Sequence, residues 1–452
     1  MSPEGLTRYW ITIMTRNRHI ATLFLATLAL AQVAAQNNGS NSSYSRFGLG
    51  TINDQSSSFN KAMGGVGKAI RLGNRVNTTN PASYSAIDSL TMIIDAGMSL
   101  SAGRMKNGEA RIKANNCSFD YVNAGFRLRK GLGLSLGMLP YTTIGYSFAT
   151  SQKVTNDFSS TQPITSHSSY NGEGGLHQVY MGVGWNPFAA LSVGANISYV
   201  WGNYTHSLSQ TFDENGTVSS NYSGLNSSHN AEIKTYKIDL GVQYPIILNP
   251  QNRLTVGATA GLGHNIKGEA SLVRYNTVGD SISIVAEDAF DLPYSIGAGV
   301  AWESQGKLLV AADYTFEKWG SCKTPQMGTE GGLSYTAKEG AYLNRSKISA
   351  GAQYIPDPLS NNFFNRVHYR FGAHYSTPYL KVNGHDGPSE YGLTAGVGLP
   401  ISNNINRGPM ANISLQWMRR DPSVGSMITE DYFLVSVGIT FAEAWFMKFK
   451  IR

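Results

Sequence analysis

Residues 122–138, VNAGFRLRKGLGLSLGM, decide the fold class of this chain of 452 residues. Apolar side chains alternate there with polar or small ones on both sides of a turn at Lys130-Gly131. The apolar set is Val122, Ala124, Phe126, Leu128, Leu132, Leu134, Leu136 and Met138. A period of two places such side chains on one face of a strand. We therefore predict a β-hairpin with one apolar face.

The same alternation recurs in pairs of segments along the chain. The further segments are 91–100, 179–185, 191–201, 236–244, 254–262, 294–302, 308–316, 348–354, 367–375, 393–399, 413–417 and 433–441. We expect each strand to have about ten residues, the span of a tilted membrane strand. The connections alternate between short and mostly longer ones, such as 101–118, 140–175, 203–232 and 264–291. Outer-membrane barrels show this asymmetry, with the short turns in the periplasm.

The sequence thus predicts an all-β protein, a fourteen-stranded antiparallel transmembrane β-barrel over residues 91–441. Its expected location is the bacterial outer membrane, and an even strand number places both termini in the periplasm. A soluble β-sandwich also alternates, but it rarely sustains this many segments with such loop asymmetry. Fourteen strands enclose a lumen, so a plug or a folded-in segment is expected inside.

Composition agrees with a barrel. Charged residues make up 14% of the chain, against about 25% in average soluble proteins. The net charge of +7 is scattered without a basic stripe, so nucleic acid is not an expected partner. Glycine is frequent, at 49 of 452 residues, against a usual ~7%. Part of this excess is expected at inward strand positions such as Gly257, Gly297 and Gly299. Cys117 and Cys322 are permitted to pair in an exported protein, but two cysteines do not establish a disulfide.

Residues 1–35 are predicted to be a secretory signal peptide, with Met14 as the expected start of translation. Arg16 and Arg18 precede an apolar run at 20–31, and small residues follow up to a cleavage site before Gln36. The alternative is an N-terminal membrane anchor, for which this apolar run is short.

Residues 36–90 contain no clean alternating segment. They hold a small-residue stretch at 62–69, AMGGVGKA, and then Asn80-Pro81-Ala82. In these features the chain resembles the FadL family of outer-membrane long-chain fatty acid transporters, which place such a stretch and an Asn-Pro-Ala turn in an N-terminal hatch before a fourteen-stranded barrel. The phrases LSVGAN at 191–196 and DYTF at 313–316 are also similar to that family.

The resemblance implies passive uptake of hydrophobic, fatty-acid-like compounds, gated by a hatch formed by residues 36–90. The expected hatch residues are Gly64, Gly65, Gly67, Asn80, Pro81 and Ala82. The implied partners are a hydrophobic small molecule or lipid and the outer-membrane lipid, and no cofactor is expected. The alternative is a barrel of this type that does not transport and is a structural subunit of an outer-membrane assembly or secretion complex. Other envelope proteins would then bind its outer loops or its C-terminal tail.

Polar side chains with the parity opposite to the apolar ones should face the lumen. The candidates are Arg127, Arg129, His368, Arg370 and His374, together with Asp239, Asp313 and Glu317. A hydrogen-bond network is favoured for the histidines and Arg370 over a metal site, because no further ligands are apparent. No metal ligand is therefore assigned.

No catalytic residue is predicted, and the chain is expected not to be an enzyme. Gly133-Leu134-Ser135-Leu136-Gly137 matches the G-x-S-x-G pattern. That motif needs a strained strand-to-helix turn, whereas Ser135 lies within an alternating strand.

Residues 442–452 form a basic aromatic tail that is expected on the periplasmic side. Three interpretations stay open: the last strand continues, the tail docks on a partner, or the tail lies on the membrane surface.

Overall fold

A computed structural model describes residues 42–89, 91–108, 110–154, 164–188, 190–214, 217–218, 223–328, 333–401, 409–425 and 427–444. The predicted signal peptide and most of the predicted C-terminal tail lie outside these ranges. Within them, no helix is long and apolar enough to cross a membrane.

Fourteen antiparallel strands form one closed barrel, which confirms the predicted fold class. The strands are β1 Thr91–Asn107, β2 Ala110–Arg129, β3 Leu132–Val154, β4 Ile164–Trp185, β5 Ser192–Glu214, β6 Leu225–Asn249, β7 Asn252–Gly261, β8 Ser295–Ser304, β9 Leu308–Glu317, β10 Arg345–Tyr354, β11 His368–Ser376, β12 Ser389–Pro400, β13 Met410–Asp421 and β14 Thr429–Ala444. Each pairs with the next, and β14 closes the barrel on β1 with Ala444 opposite Thr91.

The alternation that predicted the strands separates two environments. On β5, Ile197 and Tyr199 face outward and are exposed, whereas Asn196 and Ser198 face inward and are buried. Exposed apolar side chains on the outside and buried polar ones inside are the inverse of a soluble protein, as expected for a barrel whose outer face meets lipid.

Strands β1–β6 are longer than predicted, and most of the expected connections at 101–118, 140–175 and 203–232 are strand. On β5 the outward side chains become polar beyond Trp201, yet backbone pairing with β4 continues to Glu214. The apolar signal ends there because these residues lie beyond lipid, while the hydrogen-bonded ladder does not. We call this end of the barrel the extended end and the opposite end, which holds Lys130-Gly131, the short-turn end.

Smaller elements cover the extended end, where 264–291 was expected to be a loop. Its short strands are His264–Ile266, Glu269–Asn276, Ser281–Ala286, Phe290–Leu292, Thr324–Gly328, Ser334–Lys338, Lys381–Val382 and His385–Asp386, with Thr217–Val218 beside β5. Of the short helices, Trp319–Ser321 lies at the extended end and Phe363–Arg366 at the short-turn end. The other three, Ser43–Arg46, Ser58–Lys61 and Pro81–Ala86, come before β1. Glu269–Asn276 extends the sheet by pairing with β6.

The wall is not fully paired between β2 and β3. From the short-turn end their pairing continues only to Val122 and Met138, and toward the extended end the two strands are not paired. Beyond that point a two-residue strand, Thr51–Ile52, pairs with β3 from inside. The chain before β1 therefore completes part of the hydrogen bonding that β2 leaves open.

Candidate functional site: the N-terminal segment and the lumenal cavity

The glycine-rich stretch follows the helix Ser58–Lys61 and turns inside the barrel. Gly64 and Gly65 have φ values of +73° and +83°, a conformation that residues with a Cβ disfavour. At Gly67 the reason is packing, because a Cβ would lie 2.2 Å from Thr79 Oγ1. Gly64 and Gly65 thus provide positive φ and Gly67 close packing, while a role of these residues in gating stays a prediction.

The wall meets the N-terminal segment, defined as residues 42–89, through a belt of glycines. A Cβ on any of them would lie within 3.0 Å of a segment atom. The belt comprises Gly97, Gly125, Gly133, Gly182, Gly184, Gly194, Gly241, Gly257, Gly297, Gly299, Gly351, Gly372, Gly396 and Gly438. Every strand except β9 and β13 contributes to it. At these contacts the segment packs against the wall without space for a methyl group.

The Asn80-Pro81-Ala82 turn joins the segment to itself and to the wall. Asn80 Oδ1 accepts a 3.1 Å hydrogen bond from the N–H of Ala82. Asn80 Nδ2 donates to the carbonyl of Lys68 at 2.7 Å and to that of Val242 on β6 at 3.1 Å. Pro81 takes the first position of the helix Pro81–Ala86, where its missing N–H leaves no bond unmade.

Two wall side chains bind the backbone of the glycine-rich stretch. Asp313 Oδ2 on β9 accepts hydrogen bonds from the N–H groups of Gly67 at 2.6 Å and Lys68 at 2.9 Å. Thr394 Oγ1 on β12 accepts one from the N–H of Gly64 at 2.9 Å. The inward parity of Asp313 was predicted, but its partners were not.

Glu430, fully buried on β14, binds the start of the segment. Its Oε1 accepts from the Ser43 N–H at 2.8 Å and from Ser43 Oγ at 2.7 Å. Its Oε2 accepts from Ser42 Oγ at 2.8 Å, Tyr432 Oη at 3.0 Å and Arg420 Nη1 at 3.3 Å. Glu430 was not predicted, because nothing in the sequence separates a single glutamate at a strand end from an exposed one.

The segment runs along the barrel axis. Ser42 lies beside Glu430, near the extended end, whereas Tyr84 packs against Gly133 near the short-turn end. Ala444, the last described residue, also lies at the short-turn end. The predicted periplasmic position of the N-terminus concerns residues before Ser42, outside the described ranges.

A cavity of about 370 Å³ lies in the lumen, lined by residues of the segment and of the wall. Its lining includes the cations Lys61, Lys68, Lys237, Arg345, Lys347 and Arg420 and the anions Asp54, Asp120, Asp239, Asp313, Glu317 and Glu390. It also reaches the unpaired edges of β2 and β3, through residues such as Asn116, Ser118, Leu139 and Tyr141. The lumenal cavity is therefore lined by many ionisable groups of both signs.

Most of these charges are paired with one another. Lys61 Nζ lies 2.8 Å from Asp120 Oδ2, and Arg345 Nη1 lies 3.2 Å from Glu317 Oε2. A third pair joins Lys237 to its neighbour on β6, Asp239. Arg420 Nε contacts Glu390 Oε2 at 3.0 Å, and Lys347 Nζ lies 3.6 Å from Asp54 Oδ2. Pairing of this kind stabilises charges that the barrel encloses.

Three buried polar atoms of the lining have no hydrogen-bond partner among the described residues: Gln178 Oε1, Asn196 Oδ1 and Asp313 Oδ1. Buried polar groups normally find a partner, and water supplies it where a polar space is large enough. The volume and chemistry of the lumenal cavity suit water.

Burial and the charges around the cavity shift the pKa values of two residues of the segment, Asp54 and Lys68. The enclosing barrel alone would raise the pKa of Asp54, but Lys347 and Lys61 outweigh that effect and lower it to about 2. The same enclosure lowers the pKa of Lys68 below its usual range, despite the nearby Asp313.

The predicted lumenal residues lie in different places. His374 faces the cavity, with Nε2 3.7 Å from Glu390 Oε1. His368 Nδ1 lies 3.2 Å from Gln353 Oε1, which also accepts a 2.8 Å hydrogen bond from Arg370 Nε. These three are not brought to one centre.

Arg127 and Arg129 lie at the short-turn end of β2. A register shift between them places Arg129 opposite Leu132, whereas Arg127 pairs with Gly133. Arg129 is exposed, and its carbonyl accepts a 3.1 Å hydrogen bond from Arg127 Nε. Alternation in the sequence does not reveal such a bulge, which changes the face of the sheet on which Arg129 lies.

The ring of Phe59, in the segment, contacts two arginines, one of which lies on β11. The guanidinium carbons of Arg75 and Arg370 lie 4.4 Å and 4.6 Å from the ring centre of Phe59. Arg370 is fully buried and donates from Nη1 to Asn412 Oδ1 at 2.7 Å. Cation–π contacts on both arginines add to the attachment of the segment.

An apolar cluster lies over the cavity at the extended end. We call it the extended-end cluster: Leu49, Tyr141, Ile144, Tyr146, Leu176, Val200, Tyr204, Ala231, Ile233, Ile266, Ala270, Leu272, Ala286, Ala289, Phe290, Leu292, Trp319, Cys322, Tyr335, Tyr342 and Leu380. Tyr379 packs on it, 5.5 Å from Trp319 between ring centres, and donates to the carbonyl of Gly50. The segment thus contacts this cluster as well as the glycine belt.

Catalytic and metal-binding chemistry finds little support. No group of three or more His, Cys, Asp or Glu suited to a metal occurs among the described residues. Ser135 is buried in β3, with Oγ 2.8 Å from Tyr180 Oη and 3.0 Å from the Ala124 carbonyl, and it lies inside a strand that continues to Val154 rather than at a strand-to-helix turn. Cys117 and Cys322 are both free.

A family model and several solved structures are similar to this chain. A family model described as BamG matches residues 14–452. No curated relative matches the chain.

Solved structures share the fold. The CymD monoaromatic hydrocarbon channel has a TM-score of 0.55 at 18% identity, over 88% of this chain and 99% of that chain. The Ralstonia pickettii toluene transporter TbuX has a TM-score of 0.56 at 16% identity, over 85% of this chain and 97% of that one. A Pseudomonas aeruginosa FadL homologue has a TM-score of 0.55 at 11% identity, over 87% of this chain and 99% of that one. The FadL-type fold that the sequence predicted is therefore confirmed.

Proposed function

We propose that this chain, which belongs to the BamG family, is a structural subunit of an outer-membrane assembly or secretion complex and does not conduct hydrophobic compounds. The observation that carries this proposal is the charged lining of the lumenal cavity, where pairs such as Lys61–Asp120 and Arg345–Glu317 face the barrel axis.

A hydrophobic molecule is a poor occupant of that cavity. It would displace water from ionised groups without offering them hydrogen bonds, and burying a charge without a polar partner is strongly unfavourable. A conduit for such molecules instead needs a continuous apolar path, because each polar step raises the barrier to passage.

The attachment of the N-terminal segment supports the same function. The glycine belt, Asp313, Thr394 and Glu430 bind it from many sides. Movement of the segment would break these contacts together, whereas a rigid lumen suits a barrel that presents fixed surfaces to other proteins. The partners would bind the extended end or the tail at 442–452.

The test is isolation of the intact protein from its native envelope. An affinity tag inserted at Gly306, an open turn at the short-turn end where a Cβ meets nothing within 4 Å, leaves the extended end and both termini free. After solubilisation in mild detergent, native mass spectrometry should give a complex with another envelope protein at fixed stoichiometry. An unrelated tagged outer-membrane barrel, expressed at the same level, is the control. A monomer that retains a hydrophobic molecule in its lumen would contradict the proposal.

A second candidate is passive uptake of hydrophobic, fatty-acid-like compounds through a hatch-gated channel. Its support is the fold, because proteins titled hydrocarbon channel or toluene transporter share it over almost their whole length. The hatch would be the N-terminal segment, and Gly64, Gly65, Gly67, Asn80, Pro81 and Ala82 would shape it. Vesicles containing the purified chain should then take up toluene or a fatty acid faster than vesicles with an unrelated barrel.

A disulfide between segment and wall tests the gate itself. Thr51 and Thr143 are directly paired, so cysteines there, with Cys117 and Cys322 replaced by Ser, can bond the segment to β3. Uptake that stops on oxidation and returns on reduction would support gating, with each single cysteine as control. Uptake unchanged by the bond would exclude movement of this part of the segment.

A further inference from the structure

A group of four cations lies on the outward face of the hairpin formed by β1 and β2. Arg104 is directly opposite Lys113, and Lys106 is directly opposite Arg111. All four side chains are exposed. We call this group the cationic ladder. Opposite residues of an antiparallel pair lie about 5 Å apart at Cβ, and the two rows are about 7 Å apart along the strand.

This arrangement is unfavourable without a ligand. Like charges placed directly opposite each other on a sheet repel and destabilise the pairing. None of the four forms an ion pair or side-chain hydrogen bond within the part of the chain that the structure describes. The acid across the sheet from Arg104 is Asp431, which lies 3.9 Å from Arg419. Asp431, directly opposite Arg104, is shared with Arg419 and can offset only one of the four charges, so the cationic ladder keeps a net positive charge.

Its height on the barrel identifies its surroundings. The next outward row toward the short-turn end contains Phe433, opposite Ala102 and 65% exposed. Trp417 pairs with Phe433 in the same row, and Leu100 lies one row further, 53% exposed. Aromatic side chains mark the membrane interface, with the apolar band beyond them. The cationic ladder thus begins where the apolar band ends, at the level of lipid headgroups.

From this geometry we propose that the cationic ladder binds phosphate groups of lipid headgroups in the leaflet at the extended end. An exposed face at headgroup level meets lipid first, and phosphate is the anionic group found there. Arginine binds phosphate oxygens through two parallel N–H donors, and lysine adds a compact charge. Because the long connections of such barrels face outward, the ligand is a phosphorylated lipid of the outer leaflet. The site is independent of either function proposed above.

The test uses the full-length purified protein in nanodiscs of phosphatidylcholine containing either bis-phosphorylated lipid A or the same lipid after removal of its phosphates. Binding of the phosphorylated form should be at least about tenfold stronger, since basic residues near a membrane surface are attracted to its anionic lipids. A variant with R104Q, K106Q, R111Q and K113Q should lose that difference.

A matched control removes the same charge elsewhere at the extended end, through K267Q, K318Q, K323Q and K338Q, all exposed positions. This control should keep the preference for phosphorylated lipid. Equal loss in both variants would overturn the proposal, because net charge alone would explain the binding. Displacement of the lipid by inorganic phosphate, but not by chloride at equal ionic strength, would also overturn it in favour of a free-phosphate site. A circular dichroism spectrum and heat-modifiable mobility like those of the wild type would show that each variant folds.

Discussion

Asp313, on the barrel wall, accepts a 2.6 Å hydrogen bond from the backbone N–H of Gly67, in the segment that fills the lumen. The same carboxylate oxygen accepts a second bond from the N–H of Lys68. One wall side chain thereby orients two successive peptide groups at the point where the glycine-rich stretch meets β9.

We expect Asp313→Ala to loosen the segment without opening the barrel. Two buried N–H groups lose a charged acceptor, and such bonds contribute about 1.5–3 kcal/mol each. Hydrogen exchange of residues 62–70 should rise, while the strand amides stay protected. Asp421→Ala, which removes an exposed acid at the edge of β13, is the control. Unchanged exchange at 62–70 in Asp313→Ala would show that the glycine belt alone holds the stretch.

A second prediction concerns Gly64. We expect Gly64→Ala to destabilise the folded protein by on the order of 2 kcal/mol, because its φ is +73° and a Cβ would lie 2.6 Å from the Ala373 carbonyl oxygen. Thermal unfolding in detergent measures this.

Two other glycines separate strain from packing. Gly384 shares a positive φ of 81° but has open space around it, and Gly425 has open space without a positive φ. Gly384→Ala should have a small effect and Gly425→Ala almost none. If Gly64→Ala is no worse than Gly384→Ala, close contact with the wall does not matter.

The barrel could be predicted because lipid imposes one face on every spanning strand. Alternation at positions such as Ile197 and Tyr199 therefore identified all fourteen strands. The same logic failed beyond Trp201, where no lipid meets the outer face and its side chains become polar although the strand continues. Strand ends at the extended end depend on backbone pairing alone, and no pattern of side chains records it.

The site was predictable only in part, for a related reason. Parity and residue type indicated that Arg370 and His374 face inward, and the resemblance indicated that Asn80 forms a turn. Parity cannot say which segment an inward residue meets, so the contact of Arg370 with Phe59 and that of Glu430 with Ser43 required the folded chain. At Arg129 a bulge changes the face on which the side chain lies, so the alternation rule that holds along the rest of β2 gives the wrong face there.

A third prediction tests the attachment at the other end of the segment. Glu430→Gln keeps the shape of the side chain but removes the charge that accepts from Ser42 and Ser43 and pairs with Arg420. Breaking a buried pair by removing one partner destabilises by about 3–5 kcal/mol. We expect residues 42–46 to become susceptible to trypsin at Arg46, while the wild type resists. Glu339→Gln, at an exposed acid of the extended end, should leave the digestion pattern unchanged. Resistance in Glu430→Gln would show that Glu430 does not hold the start of the segment.

The last prediction concerns acid. His206 and His229 are directly opposite each other on β5 and β6, beyond the apolar band. Burial, together with nearby positive groups, lowers the pKa of His206 to about 3 and that of His229 to about 4. His206 Nδ1 also lies 2.8 Å from Tyr146 Oη, within the extended-end cluster. Both rings are therefore neutral in the folded protein near pH 7.

The sign of the pH dependence follows from these lowered values. Unfolded histidine has a pKa near 6.5, so the unfolded state takes up protons first as the pH falls, and stability is lost below about 6.5 until the folded values are reached. Between pH 7 and pH 5 the loss should be about 2 kcal/mol for each ring, or about 4 kcal/mol for both, confined to the extended end. Hydrogen exchange of the extended-end cluster should increase at pH 5, and the double variant His206→Asn, His229→Asn should remove that increase. His385→Asn, at an exposed histidine, should preserve it, because only rings that the fold keeps neutral can couple protonation to opening of the cluster.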